Sequence, residues 1–268
     1  MNSTGKTFWE HLDELRDSLI KIAVAIIVCG IIAFLFKEEL FDFILAPKQD
    51  DFITYRLLDF AGSWITDSGA ALDAFSVHLI NTGLATQFVM HMKAAMYAGT
   101  FCASPYILYV LFRFVSPALY SNEKRYTTRL VIGGYIMFLL GAALCYLLIF
   151  PLTFRFLGTY QVSEEVENLI SLQSYMDTFM MMSLMMGIVF EIPILCWLLA
   201  KFGFLTAEFM RCYRRHAIVL ILVIAAIITP TSDVFTLLMV ALPMYLLYEA
   251  SIFIVKRTSK TKRSPLYN

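Results

Sequence analysis

Six apolar runs separated by short polar turns constrain this chain more than any other feature. They fall at about 19–36, 88–115, 129–150, 174–200, 213–229 and 234–254. A helix that crosses a bilayer needs about 20 mainly apolar residues, with a lower limit near 17. Backbone in hydrocarbon must satisfy its own hydrogen bonds, so runs of this length are read as helices. The expected fold class is therefore an all-α integral membrane protein with six transmembrane helices, one membrane domain over residues 1–268. The fifth run is the shortest, so the bilayer or neighbouring helices must accommodate it. Thr229-Pro230-Thr231-Ser232-Asp233 joins it tightly to the sixth. Composition agrees: 16% of residues are charged and 59% are hydrophobic, where soluble domains carry about 25% charged residues. An acidic head precedes the first run, without the basic start and small-residue cleavage site of a signal peptide, so the run reads as a retained span.

Net charge is zero, so orientation comes from where the cations lie. Most sit on one side, in Lys6, Arg16 and Lys21, in Arg113, Lys124, Arg125 and Arg129, in Lys201, Arg211, Arg214 and Arg215, and in the tail from Lys256 to Arg263. Lys37, Lys48, Arg56 and Arg155 fall on the other. The positive-inside rule then places both termini and the 116–125 loop in the cytoplasm. Residues 37–87 lie outside, with Phe41, Ile44 and Leu45 at helical spacing, and are expected to form a periplasmic cap of short surface helices. The basic tail 256–268 lies near anionic lipid. No internal repeat is evident, which counts against an inverted-repeat transporter.

The polar residues narrow the chemistry. Five scattered cysteines show no C-x-x-C pair, and four histidines have no partner at i+4, so neither a disulfide framework nor a metal site is expected. No H-E-x-x-H, G-x-S-x-G, P-loop or G-x-G-x-x-G occurs, leaving no visible machinery for proteolysis, nucleotide hydrolysis or cofactor chemistry. The methionines of the fourth run read as adaptable packing. Thr7-Phe8-Trp9-Glu10 reads as a capping box that starts a helix running into the first span. On that helix Leu12, Leu15, Leu19 and Ile22 share a face. Glu10, Asp13, Glu14 and Asp17 lie mostly on the other.

Four acids beside a negatively charged leaflet are repelled by it, unless protein cations hold them or a basic ligand awaits them. Glu123, in a loop with Lys124 and Arg125, poses the same choice between a solvated ion pair and a carboxylate that receives a guanidinium bidentately. Glu191, in Phe190-Glu191-Ile192-Pro193 of the fourth run, is an ionisable residue at membrane depth. It is a functional candidate by default, beside the blander reading of a carboxyl hydrogen-bonded to a neighbouring helix. Pro193 removes a donor there and kinks the helix. Asp233 reads first as the N-cap of the sixth span.

Four ordered segments resemble a known family. They are His11-Leu12-Asp13-Glu14-Leu15-Arg16; Ser116-Pro117-Ala118-Leu119-Tyr120 with Glu123-Lys124-Arg125; Phe190-Glu191-Ile192-Pro193; and Thr229-Pro230 with Asp233-Val234-Phe235, followed by Leu242-Pro243-Met244-Tyr245 and Glu249. In this order, with six spans, the chain resembles the TatC family of the twin-arginine translocase over nearly its whole length.

The resemblance implies a glove-shaped, concave bundle in the bacterial inner membrane. It implies recognition of twin-arginine signal peptides at the cytoplasmic face. Single-span partners of the TatA and TatB type and further copies of the chain are implied too, with export of folded proteins driven by the proton-motive force. Glu14 and Glu123 match the family's signal-peptide-binding acids, and Arg16, Phe114, Pro117 and Leu119 its supporting positions. Glu191 matches the intramembrane glutamate and Asp233 the acid after the fifth span. No enzyme activity, cofactor, metal or nucleic-acid partner is implied. The chain departs from the family at Asp17-Ser18, where a second basic residue is usual, and in a long first outer loop. The alternative reading from another class is a proton-coupled secondary transporter using Glu191.

Overall fold

The computed structural model describes residues 8–49, 51–57, 78–115, 124–161, 163, 168–230 and 233–263. Every regular element among them is helical. The elements are α1 (Phe8–Phe34), α2 (Lys37–Leu45), α3 (Thr86–Val115), α4 (Lys124–Leu144), α5 (Phe150–Thr159), α6 (Leu172–Val189), α7 (Ile192–Phe202), α8 (Ala207–Cys212), α9 (Arg214–Ile228) and α10 (Val234–Arg263). A π-helical turn over Cys145–Ile149 links α4 to α5. Five stretches are long and apolar enough to cross a membrane: Leu12–Phe34, Thr86–Phe114, Leu130–Thr159, Leu172–Phe202 and Val234–Thr258. The sequence predicts a sixth over 213–229. There the chain forms α9, of 15 residues, which at 1.5 Å per residue is about 22 Å long.

The chain divides into two compact units, Met1–Leu40 with His91–Ile136, and Phe41–Met90 with Met137–Asn268. In the first unit, α1 and α3 run antiparallel. Phe34 stacks on His91 with ring centroids 4.0 Å apart, and Gly30 lies against Met96. Gly99 makes this approach possible: a Cβ there would stand 2.6 Å from the Gly30 nitrogen and 2.8 Å from the Ile26 carbonyl. The two backbones therefore touch without side chains between them. Most of α1 otherwise faces outward, with only 6% of its apolar window buried.

The second unit has an aromatic centre. Phe150 meets Tyr175 and Phe179 edge-on, each with centroids 5.1 Å away. Tyr146 stacks on Phe43 at 4.4 Å. Prolines and hydroxyls are paired around this centre. Pro47 has no N–H for the carbonyl four residues back, that of Phe43, and the Tyr146 hydroxyl donates to it at 2.9 Å. Pro151 likewise offers nothing to Leu147, and the Thr54 hydroxyl donates to that carbonyl. Tyr175 donates to the Ile44 carbonyl at 2.9 Å, filling another of the acceptors that the end of α2 leaves open. Ile80 and Ser171 form an isolated parallel bridge. Of the segment 37–87, residues 37–48 form the short helix α2 and a 3-10 turn, and residues 58–77 lie outside the described residues.

The expected fourth span is two helices. It breaks at Phe190-Glu191, and Pro193 stands in the first turn of α7, where its missing N–H is one no intrahelical bond would use. Gly203, with φ of 87°, closes α7 in a left-handed conformation. The Phe204 N–H returns to the Leu199 carbonyl at 3.0 Å, completing a Schellman stop. Below it, Ala200, Ala207, Met210, Ile252 and Val255 form a buried cluster. Arg214 pairs with Glu249 at 2.8 Å beside it.

Candidate functional site

The first unit contains a slot between α1 and α3 of about 370 Å³. Glu14, Asp17, Ser18 and Lys21 line it from α1, and Tyr106, Tyr109, Val110, Arg113 and Phe114 from α3. Both sets follow helical spacing, the α1 set at i, i+3, i+4 and i+7 and the α3 set at i, i+3, i+4, i+7 and i+8. Because the helices run antiparallel, Glu14 stands toward the Arg113–Phe114 end of the slot and Lys21 toward the Tyr106 end. Seven residues separate the two α1 charges along the sequence, a rise of about 10 Å. The slot therefore carries carboxylates toward the N-terminal end of α1, an ammonium deeper, and an aromatic wall opposite.

Two residues from the expected signal-peptide set, Glu14 and Phe114, meet in this slot. Arg16 does not line it. Its guanidinium lies 3.6 Å from Asp13 and 3.7 Å from Asp17 on an exposed surface. Glu123, Pro117 and Leu119 lie outside the described residues, as does Thr7 of the expected capping box. No motif in the sequence marks Asp17, Ser18, Lys21, Tyr106, Tyr109 and Arg113 as one site. The matching stripes on two spans were the signal that could have found them.

Glu191 lies in the second unit, at the break between α6 and α7. It is 8% exposed, and neither carboxyl oxygen has a hydrogen-bond partner among the described residues. The alternative of a carboxyl bonded to a neighbouring helix is therefore not what the structure shows. Its surroundings are tight. Gly141 lets α4 pack close to the break, since a Cβ there would stand 2.5 Å from the Met186 carbonyl and 2.7 Å from the Phe190 ring. Burying such a group without a partner costs free energy that a purely structural residue would not impose. Asp233 has a local role. Its Oδ2 accepts from the Thr236 N–H at 2.7 Å, the N-cap geometry expected for the start of α10. Among the described residues, no group of three His, Cys, Asp or Glu side chains is placed to hold a metal.

Comparison with known proteins agrees with this architecture. The family profile described as Sec-independent protein translocase protein (TatC) matches residues 10–243. Among curated relatives, the TatC protein of Blattabacterium sp. subsp. Periplaneta americana (strain BPLAN) is 34% identical over 258 residues, covering 95% of this chain and 97% of the relative. The Aquifex aeolicus (strain VF5) TatC protein is 32% identical over 255 residues, covering 95% and 96%. A crystal structure described as the twin arginine translocase receptor TatC matches with a TM-score of 0.74 and 33% identity, covering 93% of this chain and all 100% of its own. With the apolar helices, the matched length and the shared fold taken together, this chain is a multi-pass membrane protein that belongs to the TatC family of Sec-independent protein translocase components.

Proposed function

We propose that this protein is the signal-peptide receptor and core subunit of a twin-arginine translocase in a bacterial inner membrane, with both termini in the cytoplasm. The observation that carries the reading is the slot. The Glu14 carboxylate lines a cavity walled by Tyr106, Tyr109 and Phe114. A carboxylate receives a guanidinium through paired, charge-assisted hydrogen bonds, and aromatic faces favour the same cation. One arginine of a signal peptide would enter here, with Glu123 as the second acid and Arg16, Pro117 and Leu119 supporting the site. Glu191 and Asp233 would lie at contacts with TatA-type and TatB-type single-span subunits. Glu191 fits that role because a partner's polar side chain would supply the hydrogen bond it lacks. Further copies of the chain complete the complex, and the proton-motive force drives movement of folded cargo.

The test is crosslinking of a twin-arginine precursor to membranes containing Glu14→Gln or Glu123→Gln protein at normal abundance. Each charge-assisted contact is worth about 1.5–3 kcal/mol, so loss of either acid should weaken binding about tenfold or more. Unchanged crosslinking in both variants would sink the assignment.

A further inference from the structure

The slot holds more than an arginine requires. Lys21 and Arg113 line it together with Glu14 and Asp17. Neither cation has an ion pair or hydrogen-bonded side-chain partner among the described residues. A cavity built only for a guanidinium gains nothing from two cations in its wall. These charges suit a ligand that is itself zwitterionic.

Their order along α1 narrows the ligand. Glu14 and Asp17 stand nearer the N-terminal end of the span, and Lys21 lies about 10 Å deeper than Glu14. Deeper along the same stripe the apolar surface is open: Val24 and Val28, seven residues on from Asp17 and Lys21, are 54% and 51% exposed. From water inward, the surface runs carboxylate, ammonium, hydrocarbon. An ethanolamine phospholipid runs amine, phosphate, acyl chains. The two sequences are complementary, and about 370 Å³ falls within the range of about 300–1,000 Å³ common for small-molecule sites.

We propose that the α1–α3 slot is a headgroup site for phosphatidylethanolamine, with Lys21 on the phosphate and Asp17 and Glu14 on the primary amine. The exposed hydrocarbon-facing flank of α1 favours a lipid over a free zwitterion. The Tyr106 and Tyr109 rings suit the same interfacial depth. Because Glu14 also serves the arginine under the function proposed above, headgroup and signal peptide exclude one another. Only this mutual exclusion depends on the signal-peptide function proposed above.

The experiment is native mass spectrometry of the full-length protein, released from nanodiscs of equal phosphatidylethanolamine, phosphatidylcholine and phosphatidylglycerol. The wild-type protein should retain the ethanolamine lipid preferentially. Lys21→Gln should reduce retention about fivefold, the factor for about 1 kcal/mol per basic residue at a lipid surface, and Lys21→Arg should restore it. Asp17→Asn should narrow the preference over phosphatidylcholine, whose methylated amine donates no hydrogen bond. Thermal unfolding of each variant reports that it is folded. Equal retention of the three lipids, or full retention by folded Lys21→Gln, overturns the proposal. A twin-arginine peptide should displace the lipid. Lys21-dependent retention without displacement would keep the headgroup site and overturn the shared occupancy.

Discussion

The Tyr146 hydroxyl donates to the Phe43 carbonyl at 2.9 Å, the acceptor that Pro47 leaves without a helical partner. Tyr146→Phe keeps the stacked rings and removes only this bond, so it should cost about 1 kcal/mol. Pro47→Ala returns an N–H to the turn. In that background the cost of Tyr146→Phe should shrink, and a double-mutant cycle on thermal unfolding in detergent measures the coupling. Purely additive effects would show that proline and hydroxyl act separately.

Two glycines at one crossing should respond unequally. A Cβ on Gly99 meets backbone of α1, at 2.6 Å from the Gly30 nitrogen and 2.7 Å from its Cα. A Cβ on Gly30 meets the flexible end of Met96 at 3.0 Å. Gly99→Ala should therefore cost about 1–3 kcal/mol, the range for overpacking, and Gly30→Ala clearly less. Melting temperatures of the two variants in one detergent decide it; equal losses would contradict the crossing described.

Stability and function should separate at Glu191. Its buried carboxyl lacks a partner, so Glu191→Leu removes an unsatisfied polar group and should stabilise the isolated protein by about 1–3 kcal/mol. Under the proposed function the same variant should lose export of folded cargo. A less stable Glu191→Leu protein would mean that the carboxyl is satisfied in the membrane.

Arg214 and Glu249 tie α9 to α10 at 2.8 Å, with side chains 46% and 31% exposed, and Tyr245 donates to the same carboxylate at 3.2 Å. A pair this accessible is worth about 0.5–1 kcal/mol. Arg214→Ala should lower unfolding free energy by that amount and raise hydrogen exchange in α9. No change in exchange would leave the packing of α9 to its apolar face alone.

The apolar runs were legible because hydrocarbon imposes one length and one backbone solution. The apolar length of the fifth run predicts a span, and the helix it forms is the 15-residue α9. The break at Glu191 was legible only as a kink, since Pro193 marks a helix start as readily as a bend. Glu14 and Phe114 were picked out by resemblance to a motif. The slot they share also needs Lys21, Tyr106, Tyr109 and Arg113, and their assembly depends on how closely α1 and α3 approach. That approach is set by Gly99, which reads in sequence as an ordinary small residue of a span. The hydroxyls that fill the proline gaps lie 93 and 103 residues from their acceptors, a pairing that no local pattern encodes.

The π turn at Cys145–Ile149, where the Phe150 N–H reaches back to the Cys145 carbonyl, has a consequence for comparing relatives. It packs one more residue into its rise than an α-helix would, which turns every later side chain by about 100°. Just beyond it, Phe150 and Phe154 both meet Tyr175 edge-on. A one-residue alignment gap placed at this turn therefore keeps helix faces matched to a relative whose helix lacks the extra residue, whereas an ungapped alignment would pair side chains about 100° apart.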